Sequence, residues 1–259
     1  LGVSDFDKST KKMIEKAVHF LDKELVKNYN KLLQNADKIK KKGEKAYLTY
    51  LSKNNLNYFT IQYLYMRSFY KDVSMDNDLK SAVNYYQSQT EKYWDNFNLY
   101  AKGQIALSLF RSDKKETANH ILKSLKENSI TSEELGMYWK SNTAGYFYYD
   151  APIETQALMI EAFTEIESNT ETRDQLKIWL LKNKQTNSWE TTKATSEAVY
   201  ALLLQGSDWL SVTDAVAVII GGEKLKPSTL EDVKVEAGTG YFKTAWNGNE
   251  VAPKMGEVQ

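Results

Sequence analysis

Cysteine is absent from this 259-residue chain. That excludes disulfides, thiolate metal sites and a cysteine nucleophile within it, and leaves its redox compartment unreadable. Histidine is scarce as well, with only His19 and His120 present. Two imidazoles on different amphipathic helices, with no thiolate beside them, make a poor metal site, so no metal or other cofactor is expected. An excess of one charge is missing too: Lys plus Arg and Asp plus Glu both total 34, and the formal net charge is zero. Nucleic acid and anionic membranes both call for concentrated positive charge, so neither is expected as a partner. The lysine run at 38–42 is local and reads as a solvated helix end. No stretch is long and apolar enough to span a bilayer. The first residues, Leu-Gly-Val-Ser, carry neither a methionine nor a signal-like apolar core. The expectation is a piece of a longer protein.

What the chain does have is helix. Its composition, 42% hydrophobic and 12% aromatic, is ample for one large core or two smaller ones. Residues 9–29 are helical by pattern, with Met13, Ala17, Phe20, Leu21 and Leu25 recurring at helix spacing, and 32–42 continues that helix or frays. Gly43 breaks it and a helix over 44–51 follows. A two-beat rhythm then sets in. Segments 56–70, 97–110 and 153–166 are apolar on nearly every face. Segments 79–92, 117–126 and 172–181 are apolar on one side, through Ala82, Val83 and Tyr86 in the first and Ala118, Ile121, Leu122 and Leu125 in the second. Fully apolar helices alternating with amphipathic ones need an inner and an outer layer, which predicts an α/α toroid, complete or partial, built of helical hairpins. A plain helical bundle is the alternative.

Between 130 and 152 the rhythm lapses. Gly136, Asn142 and Gly145 interrupt a run crowded with Tyr138, Trp139, Tyr146, Phe147, Tyr148 and Tyr149. A long loop or hairpin is predicted there, and long loops often carry function. Trp139, Tyr146, Tyr148 and Tyr149 are therefore the candidate binding residues.

The last helical segment is 187–204. Asn187 and Ser188 can cap its start, and Glu190 sits where the positive end of the helix dipole favours an acid. Every residue over 199–204 is apolar, which predicts burial on all sides. From Gly206 the chemistry turns to strand. Residues 215–220 are rich in β-branched side chains and are followed by a Gly221-Gly222 hairpin turn. Residues 233–236 form another strand, and 241–251 make a hairpin about Asn247-Gly248. The predicted division is a toroid over 1–205 and a short antiparallel β segment over 206–259, part of a larger β domain.

These residues carry a resemblance. Trp189-Glu-Thr-Thr-Lys-Ala-Thr-Ser-Glu-Ala-Val-Tyr-Ala-Leu resembles the inner-helix signature of the thioester-type helical domain of α2-macroglobulins, the bacterial ones especially. Ala151-Pro-Ile-Glu-Thr-Gln-Ala-Leu-Met-Ile-Glu-Ala-Phe is similar to the preceding inner helix, and the tail through Trp246-Asn-Gly-Asn-Glu-Val to the return strands that follow. The resemblance runs over roughly residues 50–259. It implies a non-catalytic helical module of a bacterial protease inhibitor that entraps proteases by conformational change. It also implies a periplasmic or cell-surface location through a signal ahead of Leu1. The partners would be target proteases, through the parent protein, and neighbouring domains of the same chain. The family's reactive element is a Cys-x-Glu-Gln loop, which a chain without cysteine cannot carry, so no reactive residue transfers.

Catalytic toroids are the rivals. Asp76-Asn-Asp78 is the nearest approach to the aspartate-rich motif of terpene cyclases, and it reads better as a helix cap before Leu79. A glycosidase or lyase needs a carboxylate pair and aromatic platforms. Glu154 and Glu161 could supply the acids, although helix capping accounts for Glu154 and a neighbouring backbone or lysine for Glu161. A deep cleft with carboxylates about 5 to 9 Å apart would favour that carbohydrate-active reading. A cavity plugged by Trp139, Tyr146 and Tyr148 would favour an inert module. Glu154, Thr155, Glu190, Thr191 and Thr192 begin inner helices and would gather at one end, as reciprocal caps or as a docking rim.

Overall fold

The computed structural model describes residues 7–167, 169–184, 189–204, 218–225, 246–249 and 251–256. The chain divides into two compact units, Leu1–Leu202 and Leu203–Gln259. Among the described residues it is mainly helical, with nine α-helices and two short antiparallel strand pairs.

Helix α1 (Lys8–Lys40) is a single 33-residue helix, capped by Asp7, whose Oδ1 accepts the Ser9 and Thr10 amides at 2.8 and 3.2 Å. Met13 and Phe20, which recur at helix spacing, are 65% and 64% exposed. Only Val18, Asp22, Leu25 and Ala36 are buried. Helix α2 (Glu44–Ser52) packs against α1.

The alternation then unfolds as α3 (Tyr58–Arg67), α4 (Asn77–Tyr93), α5 (Leu99–Arg111), α6 (Lys115–Glu127), α7 (Pro152–Ala162), α8 (Thr170–Lys182) and α9 (Thr192–Leu203). Short polar side chains start several of them. Asn57, Asp76, Asn98 and Asn169 each accept an amide three residues on, at 2.9, 2.8, 3.0 and 3.1 Å. This satisfies donors that a helix start leaves unpaired. Asp76 thus acts as the cap that the sequence predicts.

Helix α5 packs against α3, α6 and α7, and α7 against α8. Seven consecutive residues of α5, 103–109, and ten of α7, 153–162, are buried. A run without a solvent face needs neighbours all round, as the apolar pattern predicted. Helices α4 and α6 bury one stripe each, Leu79, Ala82, Val83 and Tyr86 in the first and Ala118, Ile121, Leu122 and Leu125 in the second. Each large apolar side chain buried in α5 contributes about 1.5–3 kcal/mol. Helix propensities differ by only about 0.7 kcal/mol among ordinary residues, so packing decides.

Helix α9 departs from expectation. It buries only Ala194, Ala198 and Ala201, while Val199, Tyr200 and Leu203 are 43%, 49% and 52% exposed. No helix follows it among the described residues to cover that face. Its predicted caps, Asn187 and Ser188, lie outside the described residues; Thr191 Oγ1 accepts the Ala194 amide at 3.0 Å.

The lapse at 130–152 contains a hairpin, β1 (Ile130–Ser132) with β2 (Gly136–Tyr138), Ile130 opposite Tyr138. Buried Gln156 on α7 ties it down, its Nε2 donating to the Met137 carbonyl at 2.8 Å and the Leu176 carbonyl at 3.1 Å. In the second unit β3 (Val218–Ile220) pairs with β4 (Glu223–Leu225) across Gly221 and Gly222, both at positive φ. That is the predicted hairpin. The strand predicted at 233–236 and most of the hairpin arms at 241–251 lie outside the described residues.

Gly136 combines a left-handed φ of 70° with a close approach to α8, where a Cβ would lie 2.1 Å from the Gln175 carbonyl oxygen. Gly136→Ala is expected to destabilise by more than about 1 kcal/mol, read as a lowered urea midpoint. A Gly222→Ala control has no atom within 4 Å of the added Cβ, so it should lose less.

Candidate functional site

The start and end of helices α3, α5 and α7 carry different chemistry. At their C-terminal ends stands Arg111, the last residue of α5. Its Nη2 reaches Glu161 Oε1 at 2.5 Å and Glu165 Oε2 at 2.6 Å, its Nε donates to Glu165 Oε1 at 2.9 Å, and its Nη1 to Ser68 Oγ at 3.1 Å. The guanidinium also lies 4.1 Å from the Phe69 ring centre. The other Glu161 oxygen accepts from the Tyr65 hydroxyl at 2.7 Å. Burial opposes the charge on Arg111, and hydrogen bonds to Glu165 and Glu161 outweigh that penalty, so its pKa rises. Burial, with Glu161 beside it, raises Tyr65 far above an ordinary tyrosine and keeps it a neutral donor. Both oxygens of Glu161 are committed, which leaves it no lone acid for proton transfer. The partner expected for Glu161 was a backbone group or a lysine; the structure supplies an arginine and a tyrosine.

At the opposite, N-terminal ends lies a second group. Lys193, in the first turn of α9, stands 3.8 Å from Glu154 on α7 and 3.7 Å from Glu197 on α9, with its ammonium 5.8 Å from the Tyr100 ring centre on α5. Glu154 is buried, and among the described residues no backbone amide donates to it; the residue before α7 is Ala151, which has no polar side chain to cap with. The capping explanation therefore holds for Thr191 and fails for Glu154. Burial raises the Glu197 pKa, Lys193 opposes the rise and Glu154 adds to it. Burial first, then the charges of Glu197 and Glu154, raise Tyr100.

The aromatic loop borders this end. Tyr149 stacks on Tyr58, at the start of α3, with ring centres 3.9 Å apart, and Phe147 stacks on Tyr149 at 5.2 Å. Gly145 and Asp150 close the loop through an amide-to-carbonyl bond of 3.1 Å, and Asn142 Nδ2 donates to the Pro152 carbonyl at 2.9 Å. Of the four candidate binding residues the structure brings three together. Tyr146 is 96% exposed, Tyr148 half exposed, and Tyr149 partly buried beneath them. Trp139 stays apart in the core against Phe163, its Nε1 donating to the Leu125 carbonyl at 2.8 Å. A plug made of Trp139, Tyr146 and Tyr148 therefore does not form; the tyrosines point to solvent because the loop closes on its own backbone.

Sequence reasoning missed Arg111, Tyr65, Tyr100, Lys193 and Glu197. A faint signal existed: a charge inside an apolar helix, such as Glu161, demands a counter-charge. A third feature is a groove of about 760 Å³ between α1 and the start of α4, lined by His19, Asp22, Lys23 and Leu79 among others. Its buried acid, Asp22, is tied to α3 through the Tyr63 hydroxyl at 2.6 Å and Arg67 Nε at 3.2 Å. Among the described residues no group of three or more His, Asp or Glu is placed to hold a metal ion, and no helix is long and apolar enough to cross a membrane. Compared with known proteins, the chain matches no protein-family model, no curated protein and no solved structure.

Two outcomes follow from this geometry. Arg111→Met leaves Glu161 buried without its cation and is expected to cost about 3–5 kcal/mol in urea unfolding; adding Glu161→Gln should recover part of that. In a carbon-13 titration the Glu197 carboxyl should have its midpoint above the 4.5 of an unperturbed glutamate. Because its folded pKa is raised, its contribution to stability is full below the unfolded value and is lost as pH rises through the folded one. Lys193→Ala should move the midpoint higher, and Glu154→Gln lower.

Proposed function

We propose that the chain is a non-catalytic helical module, an α/α toroid in whole or part, of a bacterial α2-macroglobulin-like protease inhibitor. The single observation that carries this reading is the Arg111 cluster. The most enclosed carboxylate of the inner helices, Glu161, has both oxygens bonded, to Arg111 and to Tyr65. Such a cluster joins α3, α5 and α7 rigidly and offers no acid or base. The resemblance of segments 151–163 and 189–202 supports the same reading. The role is mechanical: cleavage elsewhere in the parent protein releases stored strain, and this module moves as a rigid body. Its partners are the trapped protease, through the parent, and neighbouring domains of the same chain, in a periplasmic or cell-surface setting.

A second reading has one observation in its favour. Glu197 is held toward its neutral form beside Glu154 and Tyr100, which is the kind of arrangement a carbohydrate-active toroid uses.

The polypeptide containing this segment, mixed with trypsin, should suppress cleavage of casein while sparing cleavage of a small chromogenic peptide. Casein cleavage that continues unchanged overturns the trap. The chain alone, given xylan, chitin and alginate, should release no new sugar ends. Release that disappears in Glu197→Gln would establish the second reading instead.

A further inference from the structure

The N-terminal ends of α3, α5, α7 and α9 meet the aromatic loop at one rim, through Tyr58, Asn98, Tyr100, Glu154 and Lys193. Two independent features there are incomplete. Tyr146, Phe147 and Tyr148 are 96%, 55% and 51% exposed on a loop whose backbone is pinned at both ends, by Gly145 to Asp150 and by Asn98 Nδ2 to the Tyr149 carbonyl. Clustered exposed aromatics on a fixed loop mark a contact surface, and a fixed loop loses little freedom on binding. Tyrosine, apolar in body and polar at the tip, suits contact with another polypeptide.

The second feature is a shortage of positive charge. Glu154 is 8% exposed, and among the described residues it has no hydrogen bond and one cation beside it, the Lys193 ammonium at 3.8 Å. Buried carboxylates are normally hydrogen-bonded. Lys193 is shared with Glu197, lies beyond hydrogen-bond distance of both, and is half exposed. It also occupies the first turn of α9, where the helix dipole disfavours a cation. It marks the place of a cation without filling it. A guanidinium is planar, carries its donors in a fork that can serve two carboxylates at once, and lies well over an aromatic ring such as Tyr100.

We propose that this rim is a docking face for a polypeptide that places an arginine between Glu154 and Glu197, with its apolar neighbours on Tyr146, Phe147 and Tyr148. Lys193 swings out to solvent as the arginine enters. A neutral sugar would stack on the tyrosines but would leave the two carboxylates short of positive charge, so a basic polypeptide fits better. The inference rests on the protease-trap reading only for the source of that polypeptide, a neighbouring domain of the parent.

The test uses the isotope-labelled 259-residue chain and two probes: acetyl-Leu-Arg-Leu-amide and its citrulline counterpart, which keeps the shape and loses the charge. Saturable amide shifts are expected at Tyr100, Lys193, Glu197 and Tyr146 to Tyr148 with the arginine peptide, and none with citrulline at the same concentrations. Glu154→Gln, which preserves shape, should weaken binding about tenfold. Lys193→Ala should strengthen it, and Glu116→Gln on the exposed start of α6 should change nothing. Equal binding of the citrulline peptide, absence of shifts at the rim, or weaker binding in Lys193→Ala overturns the proposal. Cellobiose or xylobiose shifting the same amides would overturn it in favour of a sugar site and count against the trap as well. Failure of the arginine peptide alone leaves the trypsin and casein result standing.

Discussion

Nine residues of α5, from Tyr100 to Leu109, are buried in the packing with α3, α6 and α7, and the arrangement of the first unit follows from that enclosure. A helix with no wet face cannot place polar side chains along its length unless each finds a partner. Its capping and charged groups stand near its two ends, while Gln104 and Ser108 are buried at mid-helix, Ser108 Oγ donating to the Ile105 carbonyl at 3.0 Å. Asn98 takes the start, as a cap. Arg111 takes the finish, where the carboxylates of Glu161 and Glu165 meet it. Helix α7 obeys the same rule, with Gln156 as the exception that shows the cost: buried at mid-helix, its amide nitrogen is used twice to hold backbone carbonyls.

The two ends of α3, α5 and α7 differ in electrostatic balance. Around Arg111 the acids outnumber the cation, but the guanidinium bonds both at close range, and Tyr65 takes the remaining oxygen of Glu161. That end is closed chemistry. Around Lys193 one flexible ammonium serves two carboxylates at separations too long for hydrogen bonds. The difference lies in the side chains: a planar fork pre-organises several bonds, whereas an ammonium on a four-carbon stem does not. The exposed tyrosines stand at this less satisfied end, so any recognition by the first unit has its best foothold there.

The packing of the aromatic segment separates residues that look alike in composition. Trp139 and Tyr146 lie seven positions apart in one aromatic-rich stretch, yet the first is 3% and the second 96% exposed. Trp139 follows β2, which Gln156 holds against α7 and α8, and its indole N–H finds the last turn of α6. Tyr146 follows Gly145, where the loop folds back on Asp150 and turns its side chain outward.

Periodicity by itself determined the alternation of enclosed and one-sided helices, the stripes of α4 and α6, the cap at Asp76 and the turn at Gly221 and Gly222. These are local: they depend on residues three or four apart, or on the φ a residue can adopt. Tertiary structure alone decided that, among the described residues, α9 buries only Ala194, Ala198 and Ala201, since a pattern states which face is apolar and not how much of it is covered. It also decided that Arg111 would meet Glu161, fifty residues away, and that Glu154 would face Lys193 and not cap its own helix. Pairings of that kind depend on how whole helices are set beside one another, and nothing in the spacing of either partner encodes the distance between them.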